Sequence, residues 1–237
     1  MIFIGLDVSK ISTALCIEKD ENIKLYSYTT KKSNNIWIRN TEEFINYRNI
    51  CYKYDSEKDY SKSEIIKLKE FNSITDLIID DIFNNVDKKD KVKIAIEGYS
   101  YNSKGPIFDL IEFTTSLKIK LMKKINHNDI VIFSPLTLKT EACKMVYKPR
   151  IELKGKRKIQ TIYHYENTKG KQATKFDKWD MFFLFIDSYM KMKIKDWCEQ
   201  NQAEITKIKE VPKPIDDMID AIFLKEMIKK LGGRIII

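Results

Sequence analysis

Asp7 closes the apolar run Ile2-Phe3-Ile4-Gly5-Leu6, and that placement constrains the chain more than any other feature. Ile2, Ile4 and Leu6 alternate with Phe3, Gly5 and Asp7, which is the two-residue period of a strand. A carboxylate carried into such a setting must be paired, hydrogen-bonded or metal-bound, because an isolated buried charge is very costly. Glu97 repeats the pattern at the end of KVKIAIE, and Asp217 and Asp220 stand one helical turn apart in PIDDMIDAIFL near the C-terminus. Several embedded acids from distant parts of one chain point to a shared cation site.

The remaining elements follow from periodicity. Strands are predicted at 1–8, 11–18 and 25–30, so the chain opens as a meander whose first strand carries an acid. Residues 31–62, dominated by Asn, Lys, Tyr and Asp, read as a loop-rich insertion with a short helix around 41–48. From Ser63, taken as the cap, Ile65, Ile66, Leu68, Phe71, Ile74, Leu77, Ile78 and Ile82 recur at helical spacing. A strand over 91–97, a helix over 106–125 and a strand over 129–134 come next. SPLTLKTEACK then opens a helix with Ser134 as cap and Pro135 at its first position. Residues 148–210 read as a basic and helical insertion. In it Trp179, Phe182, Phe183, Phe185 and Tyr189 form a core or dimer face. A last helix runs from about 215 to 231 and stops at Gly232-Gly233. This alternation gives a single α/β domain over 1–237 with a mixed sheet and flanking helices.

An apolar fraction of 43% suffices for a packed core. Cys16, Cys51, Cys143 and Cys198 are scattered without CxxC spacing, and His127 and His164 are the only histidines. A zinc cluster is therefore not expected, and the thiols suit a reduced, cytoplasmic setting. The opening run, interrupted by Asp7, Ser9 and Lys10, is too short for a signal peptide or a membrane span. The net charge of +9 favours a polyanionic partner. Its main source is the window from Lys139 to Lys171, which holds Lys144, Lys148, Arg150, Lys154, Lys156, Arg157 and Lys158 against Glu141, Glu152 and Glu166. Such a stretch binds phosphates in a salt-sensitive, sequence-tolerant way. A solvated basic loop is the plain alternative.

Magnesium and manganese take hard oxygen ligands, and nucleases that use two such ions hold them roughly 3.5–4 Å apart between shared carboxylates. At i, i+3 spacing Asp217 and Asp220 share a helix face, and the small Ala221 beside them lets that face approach a sheet. Acids in a first helical turn also complement the helix dipole while solvated, which is the bland reading of Asp216, Asp217 and Asp220.

In this order the motifs IGLDVSKISTALCI, IAIEGYSYNSKG, SPLTLKTEACK and DDMIDAIFL resemble the RuvC-like Holliday junction resolvases of the ribonuclease H-like superfamily, including forms carried by phages and large DNA viruses. The resemblance implies a ribonuclease H-like mixed sheet with the C-terminal acidic helix packed across it. It implies that Asp7, Glu97, Asp217 and Asp220 hold two Mg²⁺ ions, which Mn²⁺ can replace, with Asp216 in reserve. It further implies that Lys139 and Lys156 contact phosphate near the scissile bond, and that Tyr99 and Tyr101, just after the second acid, help unstack DNA bases, with simple packing as the alternative role of these tyrosines. Lys104 joins the basic residues expected to contact DNA. The implied partners are branched double-stranded DNA and a second copy of the chain, with no membrane. The implied reaction leaves a 5′-phosphate and a 3′-hydroxyl. Two other readings stand beside it. An actin-like ATPase or sugar kinase shares the first-strand acid, but VSKIST lacks the glycine of a phosphate loop. A DNA-binding protein that lost the chemistry would keep the fold.

Overall fold

A computed structural model of the chain describes residues 1–31, 36–99, 107–146, 148–154, 158–164, 178–182, 196, 200–201 and 210–231, with backbone alone for 143, 145–146, 148–154 and 158–164. The apolar opening run forms β1 (Ile2–Asp7). It continues antiparallel into β2 (Ser12–Lys19) and β3 (Asn22–Thr29), the expected meander. A short helix α1 (Ile36–Thr41) leads to β4 (Ile45–Asn49), and a long helix α2 (Tyr60–Phe83) follows. Then come β5 (Val92–Glu97), α3 (Ile107–Met122), β6 (Ile130–Phe133) and α4 (Pro135–Val146). The antiparallel pair β7 (Lys148–Lys154) and β8 (Lys158–His164) precedes α5 (Ile215–Lys230).

The six-stranded sheet runs β4-β3-β2-β1-β5-β6. β5 and β6 add parallel to β1, with the connecting helices crossing the faces. This is the mixed α/β sheet with flanking helices that the motifs implied. Strand periodicity divides the sequence between two cores. Ile2, Ile4, Leu6, Leu15, Ile17, Ile94 and Ile96 pack with Phe71, Ile78, Phe113 and Leu117 of α2 and α3. On the other face the small residues Ala14, Cys16 and Ala95 meet Met218, Ala221, Ile222 and Leu224 of α5. Small side chains on this face let the last helix lie close to the strands. At the far end of β2, Glu18 accepts from the fully buried Lys225 at 2.6 Å and from Lys229, tying α5 to the sheet.

Three expectations are corrected. The insertion at 31–62 is less loop-like than its composition suggested. The helix sits at 36–41, and 45–49 is an edge strand parallel to β3, driven by burial of Ile45. The long helix starts before Ser63, because Asp59 caps it by accepting from the Lys62 amide at 2.9 Å. Ser63 instead donates to the Tyr54 carbonyl at 3.1 Å. The basic stretch after α4, expected within a basic and helical insertion, opens as a β-hairpin. By contrast, Ser134 accepts from the Thr137 amide at 3.1 Å and caps α4 as expected. Of the predicted aromatic face, Phe182 is buried and meets Trp37 edge-on at 5.8 Å, while Phe183, Phe185 and Tyr189 lie outside the described residues. Among the described residues no helix is long and apolar enough to cross a membrane.

The insertion is locked to the main body near the β1–β2 turn. Lys10 pairs with Asp55 at 3.1 Å and with Asp109 of α3 at 3.2 Å, and the Tyr54 hydroxyl donates to Asp109 at 2.9 Å.

Candidate metal centre

Alternation along β1 and β5 aims both terminal acids at α5, since Leu6 and Ile96 are paired and point the other way. Asp7 and Glu97 thus emerge side by side at the ends of parallel strands. Asp220 approaches from the helix, and one carboxylate oxygen from each of the three residues lies within 4.8 Å of the others. Asp7 is 3% exposed, Asp220 5% and Asp217 3%, so the solvated first turn is excluded for Asp217 and Asp220.

Crowded buried carboxylates resist ionisation. Burial raises the Asp7 pKa well above the ordinary carboxylate value, and the charges of Glu97, Asp217 and Asp220 raise it further. Burial likewise pushes Asp220 up to about 7, against the opposing pull of Lys178. Asp217 is also raised by burial, with Lys213 opposing. Two lysines that the sequence reading did not single out make these pairs. Lys178 reaches Asp216 at 2.8 Å and also contacts Asp220, and Lys213 pairs with Asp217 one turn along. Burial disfavours both ammonium groups, but the acids prevail and hold each above the usual lysine value. The i, i+4 spacing of Lys213 and Asp217 was a readable signal. Lys178 had none, because only the fold brings it to α5.

The donor set suits a hard divalent cation. Asp217 Oδ2 and Asp220 Oδ1 are buried without a hydrogen-bond partner, which is the state expected of oxygens reserved for an ion. Asp7, Glu97 and Asp220 converge, and Asp217 stands beside them near enough to raise the Asp7 pKa. Asp216, the reserve ligand, has Oδ1 within 2.8 Å of Lys178, and that buried oxygen likewise makes no hydrogen bond. Lys139 is half-buried on α4, whose Leu138 and Ala142 pack in the same core as α5. Lys144 is exposed and pairs with Glu141 at 2.6 Å. Tyr99 leans on α3, donating to the Ile111 carbonyl at 3.4 Å with Lys118 over its ring. Tyr101, Lys104, Lys156 and Arg157 lie outside the described residues. Lys148, Arg150, Lys154 and Lys158 fall on β7 and β8, where the backbone is described.

No protein-family model and no curated protein matches this chain. Among solved structures it is similar to Thermus thermophilus RuvC, at 9% identity and a TM-score of 0.43, covering 98% of each chain. It is also similar to T. thermophilus RuvC in complex with a Holliday junction substrate, at 9% identity and 0.43, covering 98% of this chain and 97% of that one.

Proposed function

We propose that this chain is a divalent-metal-dependent endonuclease that cuts branched DNA, with the four-way junction as its leading substrate. The observation that carries the reading is the convergence of Asp7, Glu97 and Asp220 at one end of the sheet, with unpartnered oxygens on buried Asp217 and Asp220. Those four residues would hold the cations, Mg²⁺ or Mn²⁺, which when bound supply an activated water and charge stabilisation at the leaving oxygen. The chain's own groups do the rest. The two strands fix Asp7 and Glu97, α5 brings its carboxylates onto them, and the basic stretch from Lys139 to Lys158 offers phosphate contacts that offset repulsion between acids and DNA. Lys139 and Lys156 are assigned to phosphate near the cut, and a 5′-phosphate and 3′-hydroxyl are the expected ends. The test is product mapping on flap, three-way and four-way DNA with Mg²⁺. Nicking of branched DNA that stops in EDTA is the expected outcome, and uncut branched DNA on every substrate would end the reading.

Paired incisions require two sites, and α3 offers a surface for a second copy. Phe108, Ile111, Ile119 and Met122 form an exposed apolar stripe on this helix. Ile111 and Ile119 lie four residues on either side of the exposed Thr115, and Phe108 and Met122 lie seven on either side. A twofold axis at Thr115 would set Ile111 against Ile119 of a second copy in an antiparallel helix pair. A Thr115→Cys protein is expected to form an intermolecular disulfide under mild oxidation that the parent protein does not form. A monomer by ultracentrifugation would remove the dimer, and a dimer without cross-linking would remove this surface.

A further inference from the structure

The two lysines at the helix acids divide each carboxylate in a consistent way. Lys213 takes Oδ1 of Asp217 and leaves Oδ2 without a partner, while Lys178 takes Oδ2 of Asp220 and leaves Oδ1 without a partner. Each lysine is itself largely enclosed, at 23% side-chain exposure for Lys178 and 32% for Lys213, so neither is a loosely tethered surface cation. They come from different segments, one within the helical stretch at 178–182 and one just before α5. A carboxylate free to rotate would present either oxygen, or both, to a cation. One with an oxygen fixed to an ammonium presents only the other.

We infer that Lys178 and Lys213 are positioning residues for the cation site, each clamping one oxygen of a helix carboxylate so that its partner oxygen faces the centre. This inference rests on the nuclease reading of the same acids. Groups that orient metal ligands commonly contribute tenfold to a hundredfold in metal affinity.

Simple electrostatics makes the opposite prediction, which gives the test its sign. Removing a positive charge beside a divalent cation should strengthen cation binding, whereas removing a clamp should weaken it. Mn²⁺ affinity of the full chain, without DNA, is measured by electron paramagnetic resonance titration at constant pH. Lys178→Met is expected to weaken Mn²⁺ binding about tenfold or more, with Lys178→Arg close to the parent, because a guanidinium still holds one oxygen. Circular dichroism melting in EDTA establishes that both variants are folded, and Lys213→Met and Lys213→Arg repeat the comparison should the first pair melt early. Equal or tighter Mn²⁺ binding by the folded Lys→Met proteins overturns the positioning role. Absence of Mn²⁺ binding by the parent protein overturns the cation site itself, and the inference falls with it.

Discussion

Replacing Asp7 by Asn is expected to abolish cutting of branched DNA while leaving its binding essentially unchanged. The loss should reach at least about 10²–10³-fold, the usual consequence of removing one group that stabilises charge in a reacting centre. Binding energy comes mainly from phosphate contacts, and Asp7 is 3% exposed at the foot of the site, so gel shifts on a four-way junction should be unaffected. The same variant has a second readout that needs no DNA. In the metal-free protein the pKa values of Asp7, Asp217 and Asp220 are all raised by burial. Between the ordinary carboxylate range and these raised values the unfolded chain has released protons that the folded chain retains, so folding stability falls as pH rises. For Asp220 that window runs from 3.8 to about 7. Asp7→Asn removes the acid at the centre of the repulsion. Its melting temperature in EDTA should therefore exceed that of the parent protein near pH 8 and converge with it near pH 4. Identical melting curves at pH 8 would mean that the acids do not crowd one another, and retained cleavage would remove Asp7 from the reaction.

The part of this architecture that was legible in the sequence is the part set by short-range periodicity. Alternation in Ile2-Phe3-Ile4-Gly5-Leu6-Asp7 and in Val92–Glu97 identified both strands and the face each acid would use, because a two-residue period leaves no choice once one face is apolar. The spacing of Asp217 and Asp220 gave their common helix face, and Ala221 signalled a close approach. Less was legible where partners are distant in sequence. The strand at 45–49 has one strongly buried residue, Ile45, and exposed neighbours, so its pattern is that of a loop until β3 is placed beside it. Ser63 stands directly before the apolar helical repeat and so fits a cap by local spacing, and only the bond from the Lys62 amide marks Asp59 in its place. Lys178 and its two acids are about forty residues apart, and nothing local marks a lysine as the partner of a buried carboxylate. Alternation alone marks Gly5 as one position on a strand face, yet its importance lies in what packs over it.

Gly5→Ala is expected to be among the most damaging single-methyl additions in the protein. A Cβ built at this residue would lie 1.8 Å from the Ala221 carbonyl oxygen and 2.6 Å from the Lys225 amide nitrogen. Both are backbone atoms of α5, so no side-chain rotation relieves the overlap. The strand cannot retreat either, since Gly5 is paired with Cys16 on one side and Ala95 on the other. What must yield is the helix, and the helix carries Asp217 and Asp220. Overpacking of this kind costs about 3 kcal/mol or more, read as a lower urea midpoint with an unchanged slope. A displacement of about 1 Å at the acids can cost on the order of 10²-fold in rate even in molecules that remain folded. The contact with backbone also makes a control specific to this geometry. Ala221→Gly removes a methyl group but leaves the carbonyl in place, so the double variant Gly5→Ala/Ala221→Gly should recover neither stability nor Mn²⁺ binding. Recovery in the double variant would show that side-chain volume, and not the approach of helix backbone to β1, sets the distance between the acids of the sheet and those of the helix.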